Sequence, residues 1–299
     1  MDFLSKTVFI TGITGFTGRY ISDLYKSKNY QVFGSSNNKE DQTDTIYYCD
    51  VLDFESMSEI IRKIKPNIVI HLAAISYVGH KDVSQMYNVN ILGTKNLLEA
   101  IRLFAHDKIE KILVASSATV YGNQEKPILD ESMCPNPIND YGISKLAMEF
   151  VCKSYFQSLP IIVVRPFNYT APEQNINFVV PKITSAFKNR QAELELGNID
   201  VYREYNSIHL ITQYYFLLSI SPHKSQVVNL CSGHTYSLKE IIDKCATITN
   251  HSLEIKINPA FVRSNEIISL SGSTQKLKEL ISLPTEFSID QTLMLFFKQ

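Results

Sequence analysis

Tyr141 and Lys145 stand four residues apart in a segment whose apolar positions recur at helical spacing. Side chains so spaced share one helix face. A phenol with a pKa of about 10 is a poor acid–base group at neutral pH, and a neighbouring ammonium favours its ionised form. Together they could pass a proton to a carbonyl oxygen while a hydride reaches the carbonyl carbon. In a chain with 16 tyrosines the Y-x-x-x-K pattern also arises by chance, so its position must supply the weight. Just upstream, KILVASS reads as a strand running into SSATVYG. Ser117 would emerge at the carboxyl edge of a sheet, where open α/β folds bind ligands, and could hydrogen-bond the same oxygen.

A second constellation lies near the start. Gly12, Gly15 and Gly18 form G-x-x-G-x-x-G between a strand-like run and a helical one, in a chain with only 11 glycines. Such a turn lets a pyrophosphate approach the backbone and meet the free N–H groups of the following helix. The next strand ends in VFGSSNNK. A fold that selects NAD usually places Asp or Glu there, on the ribose 2′-hydroxyl. Ser35, Ser36, Asn37, Asn38 and Lys39 stand there instead, with Arg19 just beyond the third glycine. That set predicts NADP(H) over NAD(H).

These residues need a scaffold. Apolar runs at Thr7–Ile10, Gln31–Phe33, Ile46–Cys49, Ile68–Leu72, Ile112–Ala115 and Ile161–Val164 are continuous rather than alternating. That is the signature of parallel strands buried on both faces. Helical patterns at Arg19–Lys28, Glu55–Lys65, Val89–Phe104 and Tyr141–Gln157 separate them. Repeated βαβ units predict an α/β fold with a doubly wound parallel sheet of Rossmann type. After Pro166 a loop rich in Asn, Pro and Gln leads to a helix near Val179–Asn189, and Gln226–Leu230 reads as one more buried strand. The expected division is a dinucleotide-binding domain over 1–166, with 205–230 returning to it. A smaller mixed substrate domain would cover 167–204 and 231–299.

Composition narrows the function. Over 299 residues, 29 Lys and Arg against 30 Asp and Glu leave a net charge of −1, which argues against a coat for nucleic acid or acidic membrane. No apolar run approaches the roughly 18 residues of a membrane helix. The opening MDFLSKTVFITG lacks a basic head and a long apolar stretch, so a cytoplasmic location is expected. The five cysteines are scattered without a CxxC pair and the seven histidines show no HExxH, which predicts packing thiols and no metal.

TGITGFTG, His71-Leu72-Ala73-Ala74, NVNILGTKNLLEA, SSATVYG and YGISK, in this order, resemble the extended short-chain dehydrogenase/reductase family. Its members oxidise, reduce, epimerise or dehydrate nucleotide sugars. The resemblance spans essentially the whole chain and implies Ser117, Tyr141 and Lys145 as the catalytic triad. It implies that Gly12, Thr14, Gly15, Phe16, Thr17 and Gly18 cradle the cofactor, with Arg19, Ser35, Ser36 and Asn37 near its adenosine. Asp50 and Val51 would contact the adenine, Leu72, Ala73 and Ala74 would line the cofactor, and Tyr141 and Lys145 would also touch it. For the substrate it implies Thr119, Asn168, Val179, Lys182, Arg203, Arg263 and Glu266, with the two arginines as charge-assisted donors to a diphosphate. The helices at Val89–Phe104 and Tyr141–Gln157 would, by the same resemblance, form a four-helix homodimer interface.

Departures from relatives narrow the activity. The 4,6-dehydratases carry an acid just after the catalytic Ser or Thr, where this chain has Ala118 and Thr119. Enzymes that epimerise C3 and C5 use a Cys and a His where this chain has Thr119 and Phe178. What remains is NAD(P)H-dependent reduction of the C4 keto group of a nucleotide-linked 4-keto-6-deoxy sugar. The whole-chain pattern is most similar to the branch that acts on GDP-4-keto-6-deoxy-mannose, so GDP is expected rather than dTDP or UDP. A 4-epimerase or 4-dehydrogenase with tightly held NAD is the alternative, and a non-catalytic NAD(P)H sensor is an alternative of another class. Asn206 and His209 stand where relatives carry Asp and Arg.

Overall fold

A computed structural model describes residues 6–76, 80–261, 268–285 and 287–298. Seven strands form one sheet in the order Gln226–Leu230, Ile161–Pro166, Lys111–Ala115, Ile68–His71, Thr7–Thr11, Gln31–Ser36 and Ile46–Tyr48. All neighbouring pairs are parallel. Strand order reverses at Thr7–Thr11. Thr11 pairs with His71 on one side and Ser35 on the other, so a crevice opens at their carboxyl ends.

Alternate residues of each strand enter different cores. Val8, Ile10, Ile70 and Leu113 pack with Ile21 and Tyr25 of the helix Phe16–Ser27, and with Leu210, Ile211 and Leu218 of the helix Ile208–Ile220. Phe9, Val69, Ile112 and Val114 face the opposite way. They meet Met57 and Ile61 of Phe54–Ile64, Leu97, Leu98 and Ile101 of Thr94–Phe104, and Met148 and Cys152 of Asp140–Ser154. Covering both faces is why the strands read as unbroken apolar runs. Each fully buried branched or aromatic side chain contributes roughly 1.5–3 kcal/mol, so the sheet supports polar loops at its edge. The fold is α/β, a doubly wound parallel sheet of Rossmann type, with smaller mixed sheets beside it.

The later chain builds a separate core. Val180, Ile183 and Phe187 of the helix Val179–Lys188 pack with Leu238, Ile241 and Cys245 of Leu238–Thr249 and with Leu293. Tyr202–Glu204 pairs antiparallel with Thr235–Ser237 and parallel with Ser269–Gly272. Ser271 and Gly272 reach back to pair with Ile128 and Leu129.

One expected helix is divided. Where the apolar spacing predicts a single helix over Val89–Phe104, a π-helical turn Asn88–Gly93 precedes the α-helix Thr94–Phe104. The turn presents Asn90 inward. Its amide oxygen accepts from Ile75 N at 2.9 Å, and its nitrogen donates to Ile75 O at 3.1 Å and Ser144 Oγ at 2.9 Å. Widening the helix by one residue places that side chain where an α turn would not. All five cysteines are free thiols.

Candidate active site

The glycine turn joins Thr7–Thr11 to the helix Phe16–Ser27. Gly12 sits at φ +70°, and its N–H donates to Ser35 O at 2.9 Å. A Cβ on Gly18 would lie 2.3 Å from Gly12 O, so only glycine lets the helix pack on the turn. A Cβ on Gly15 would meet Gly12 O at 3.2 Å, with no second atom within 4 Å among the described residues. That face of the turn is open to a ligand. No side chain caps the helix at Gly15, and its first turn holds no acid. Uncapped amides and the helix dipole fit a pyrophosphate there.

Around this turn, Thr14 Oγ1 donates to Ser36 Oγ at 3.2 Å, and Thr17 Oγ1 pairs with Tyr169 Oη at 2.8 Å. Phe16 and Tyr169 stack with centroids 6.3 Å apart. Ser35 is buried beneath the turn and Asn37 is exposed. Arg19 pairs with Glu173 at 3.5 Å, and Lys39 stands over the Tyr48 ring at 5.3 Å. The two cations expected to meet a 2′-phosphate thus have other partners. Asp50 is exposed and accepts from Leu52 N, while Val51 is buried against Gly93.

The catalytic candidates come from two neighbouring elements. Lys111–Ala115 runs into Ser117, which begins a short 3₁₀ turn Ala118–Tyr121. Ser117 Oγ accepts from Thr119 Oγ1 at 2.9 Å and from Thr119 N at 3.2 Å. Tyr141 and Lys145 lie on the helix Asp140–Ser154, capped by Asn139, whose side chain accepts from Gly142 N at 2.8 Å. The Tyr141 phenol lies near enough to the Ser117 hydroxyl to feel it electrostatically. Lys145 Nζ donates to Ala115 O at 2.7 Å and lies 6.0 Å from the centre of the Tyr141 ring.

The electrostatics differ from the sequence expectation. Burial raises the Tyr141 phenol above its ordinary range, the nearby Tyr169 adds to this, and the Ser117 hydroxyl opposes it. Burial lowers Lys145 to about 8, against the opposing pull of Cys152 and Glu149. The expected depression of the phenol by Lys145 is not among its causes. A phenol held in its protonated form is a proton donor, the state a carbonyl reduction requires.

Two buried networks hold this edge. Thr11 Oγ1 accepts from Leu72 N and Ala73 N, both at 3.2 Å, and pairs with His71 Nδ1 at 2.7 Å. His71 Nε2 pairs with Thr94 Oγ1 at 2.9 Å, whose own proton goes to Asn90 O at 2.8 Å. The donor count assigns the proton of His71 to Nε2. Burial, then the Lys145 ammonium, push His71 down to about 3. The chain of bonds ties the Leu72–Ala73–Ala74 turn through Asn90 and Ser144 to the Tyr141 carbonyl. Below Ser117, Ser116 Oγ donates to Glu149 Oε1 at 2.6 Å, and Arg165 grips the same carboxylate with Nε and Nη2.

The expected substrate residues are less uniform. Thr119 lies beside Ser117, and Asn168 is exposed after the strand Ile161–Pro166. Arg203 Nη1 donates to Tyr202 O at 2.8 Å and Ile268 O at 3.3 Å. Val179 packs on the C-terminal core. Lys182 donates to Glu195 O at 2.7 Å and stands over the Phe261 ring at 4.8 Å. Arg263 and Glu266 lie outside the described residues.

Sequence reasoning passed over Asp41, Glu149, Arg165, Tyr169 and Glu204. Glu204 is buried at the junction, where it accepts from Gly272 N at 2.7 Å, Ser232 N at 2.8 Å and Asn206 Nδ2 at 2.9 Å. Asn206 also donates to Asn168 O at 3.2 Å. The one signal available was the Arg203-Glu204-Tyr205-Asn206 run itself, which sets an acid between a cation and an aromatic ring.

A family described as GDP-mannose 4,6 dehydratase matches residues 9–294. The chain is 34% identical over 282 residues to the GDP-6-deoxy-D-talose 4-dehydrogenase of Aggregatibacter actinomycetemcomitans, covering 94% of this chain and 93% of that one. It is 30% identical over 301 residues to the GDP-6-deoxy-D-mannose reductase of Pseudomonas aeruginosa, covering 97% and 95%. Among solved structures it superimposes on RMD from Pseudomonas aeruginosa complexed with NADPH, with TM-score 0.85, 27% identity and coverage of 98% and 96%.

Proposed function

The chain belongs to the GDP-mannose 4,6-dehydratase family, and on that premise we propose that it is an NAD(P)H-dependent nucleotide-sugar oxidoreductase acting at C4. Its substrate is a GDP-linked 4-keto-6-deoxyhexose, GDP-4-keto-6-deoxy-mannose first, and its product the reduced GDP-6-deoxyhexose. The carrying observation is a site that sets the Tyr141 phenol and Lys145 on one helix beside the strand end of Ser117, with Ala118 and Thr119 following Ser117 in the chain. Neither following residue can remove water from C5 and C6 by proton transfer at neutral pH. The family likeness therefore supports the redox half of its chemistry and not dehydration.

When bound, NAD(P)H supplies the hydride. Tyr141 gives its proton to the oxygen at C4 as the alkoxide forms, and Ser117 hydrogen-bonds that oxygen. Lys145 places its charge beside both, anchored on Ala115 O. Gly12, Thr14, Gly15, Phe16, Thr17 and Gly18 hold the pyrophosphate, and Leu72, Ala73 and Ala74 line the nicotinamide half. Asn168, Thr119, Arg203, Arg263 and Glu266 bind the nucleotide sugar. Val179 and Lys182 border this set, Val179 against the C-terminal core and Lys182 on Glu195 O.

The relative solved with NADPH supports NADP(H), whereas the charges at the end of Gln31–Ser36 support NAD(H). The substrate part comprises 167–204 and 231–299, apart from the returning 205–230. The assembly is a homodimer. Leu92 and Leu103, with Ile143 and Phe150, leave apolar side chains 42–61% exposed on two adjacent helices. Among the described residues no helix is long and apolar enough to cross a membrane.

The test is oxidation of NADH or NADPH by the purified protein with GDP-4-keto-6-deoxy-D-mannose. One mole of cofactor oxidised per mole of GDP-sugar gaining two hydrogens by mass supports the proposal. No turnover with this substrate, alongside turnover of UDP- or GDP-hexoses with no added cofactor, would replace it with the epimerase reading. The relative named as a 4-dehydrogenase favours running the reaction backwards as well, from GDP-6-deoxyhexose with the oxidised cofactor.

A further inference from the structure

The second strand ends without an acid, yet an acid reaches its end through space. After Ser36 the chain makes a short 3₁₀ turn, Lys39–Asp41. Asn38 sets it up. Its N–H donates to Ser36 Oγ at 3.2 Å, its side chain accepts from Glu40 N at 3.2 Å, and its carbonyl accepts from Asp41 N at 3.2 Å. The turn brings the Asp41 carboxylate back onto Ser36, whose hydroxyl donates to Asp41 Oδ2 at 2.5 Å. Ser36 Oγ in turn accepts from Thr14 Oγ1, in the middle of the glycine turn. The carboxylate is therefore two hydrogen bonds from the phosphate turn, at the end of the second strand. Doubly wound folds hold the adenosine ribose where these two features meet.

The surrounding charges agree. Arg19 is paired with Glu173, and Lys39 turns over Tyr48. The charge hydrogen-bonded to the strand end is negative. The Ser36 hydroxyl first, and the Thr14 hydroxyl behind it, hold Asp41 below the usual carboxylate range, so it is ionised at neutral pH. A carboxylate accepts from vicinal hydroxyls and repels a phosphate.

We propose that Asp41 is the cofactor-specificity residue of this chain, accepting a hydrogen bond from the 2′-hydroxyl of the adenosine ribose and so selecting NAD(H) over NADP(H). This inference stands apart from the sugar assignment, and its test needs no sugar. Titration calorimetry on the full chain with NADH and NADPH reads the two affinities directly. At low salt the wild type binds NADH at least about tenfold more tightly than NADPH, as expected for one like-charge contact with a phosphate near the surface. Asp41→Asn keeps the size and the acceptor oxygen but removes the charge, and brings the two affinities within about threefold. Asp41→Ser, shorter and neutral, does the same. Asp41 lies on a surface turn outside the apolar cores, so both variants retain the fold, and circular dichroism checks that. A wild type that binds NADPH as tightly as NADH, or variants that keep the wild-type ratio, would overturn the proposal.

Discussion

Glu149 and Arg165 form a two-pronged ion pair, Nε to Oε1 at 2.8 Å and Nη2 to Oε2 at 2.7 Å, with side chains 0% and 3% exposed. Ser116, next to Ser117, donates to the same carboxylate, and the Arg165 guanidinium lies 4.8 Å from the centre of the Tyr121 ring. One pair thus joins the helix of Tyr141 and Lys145 to the strands beneath it.

Removing one partner should be costly, because it strands a buried charge. Glu149→Gln should lower unfolding stability by about 3–5 kcal/mol. Replacing both with Leu and Met should recover part of that loss while lowering turnover, because the helix loses its fixed seat. Urea unfolding of the three variants checks this. Equal stability of Glu149→Gln and wild type would contradict it.

Tyr141→Phe removes the proton donor and little volume. Turnover should fall by about 10² or more, with a much smaller change in cofactor affinity from the one lost hydroxyl contact. Steady-state kinetics and a cofactor titration separate the two effects. Near-normal turnover would assign the proton to another group.

Lys145 at about 8 sets an upper limb on the pH profile. Its ammonium is present below that value and lost above it. kcat/KM for reduction should fall above about pH 8, and Lys145→Arg should move the fall to higher pH. A wild-type profile that stays flat through this range would show that the charge is not needed.

His71 is neutral in the fold down to about pH 3, whereas an unfolded histidine charges near 6.5. Between those values the unfolded chain binds more protons, so stability falls as pH falls. From pH 6.5 to pH 5 this group should cost about 1.6 kcal/mol. His71→Gln should be less stable at neutral pH yet lose that part of the acid sensitivity. Denaturant midpoints at the two pH values measure it, and parallel curves for both proteins would refute it.

Much of this was legible in the sequence. Unbroken apolar runs gave away strands covered on both faces, because Val8 and Ile10 face one core and Phe9 the other. Gly12, Gly15 and Gly18, and the four-residue step from Tyr141 to Lys145, are local patterns whose geometry follows from backbone periodicity alone. Those the chain determines by itself. Tertiary structure decided which partner each polar group takes. Arg19 and Lys39 looked free for a phosphate, but Glu173 and Tyr48, far along the chain or across a turn, engage them. Asp41 lies five residues past Ser36, a distance that means nothing until a 3₁₀ turn closes it. Lys145 turns to the Ala115 carbonyl, and burial rather than its neighbour governs the Tyr141 phenol. Periodicity is a property of the backbone and survives in any context, whereas hydrogen bonds, ion pairs and desolvation depend on what the folded chain brings alongside.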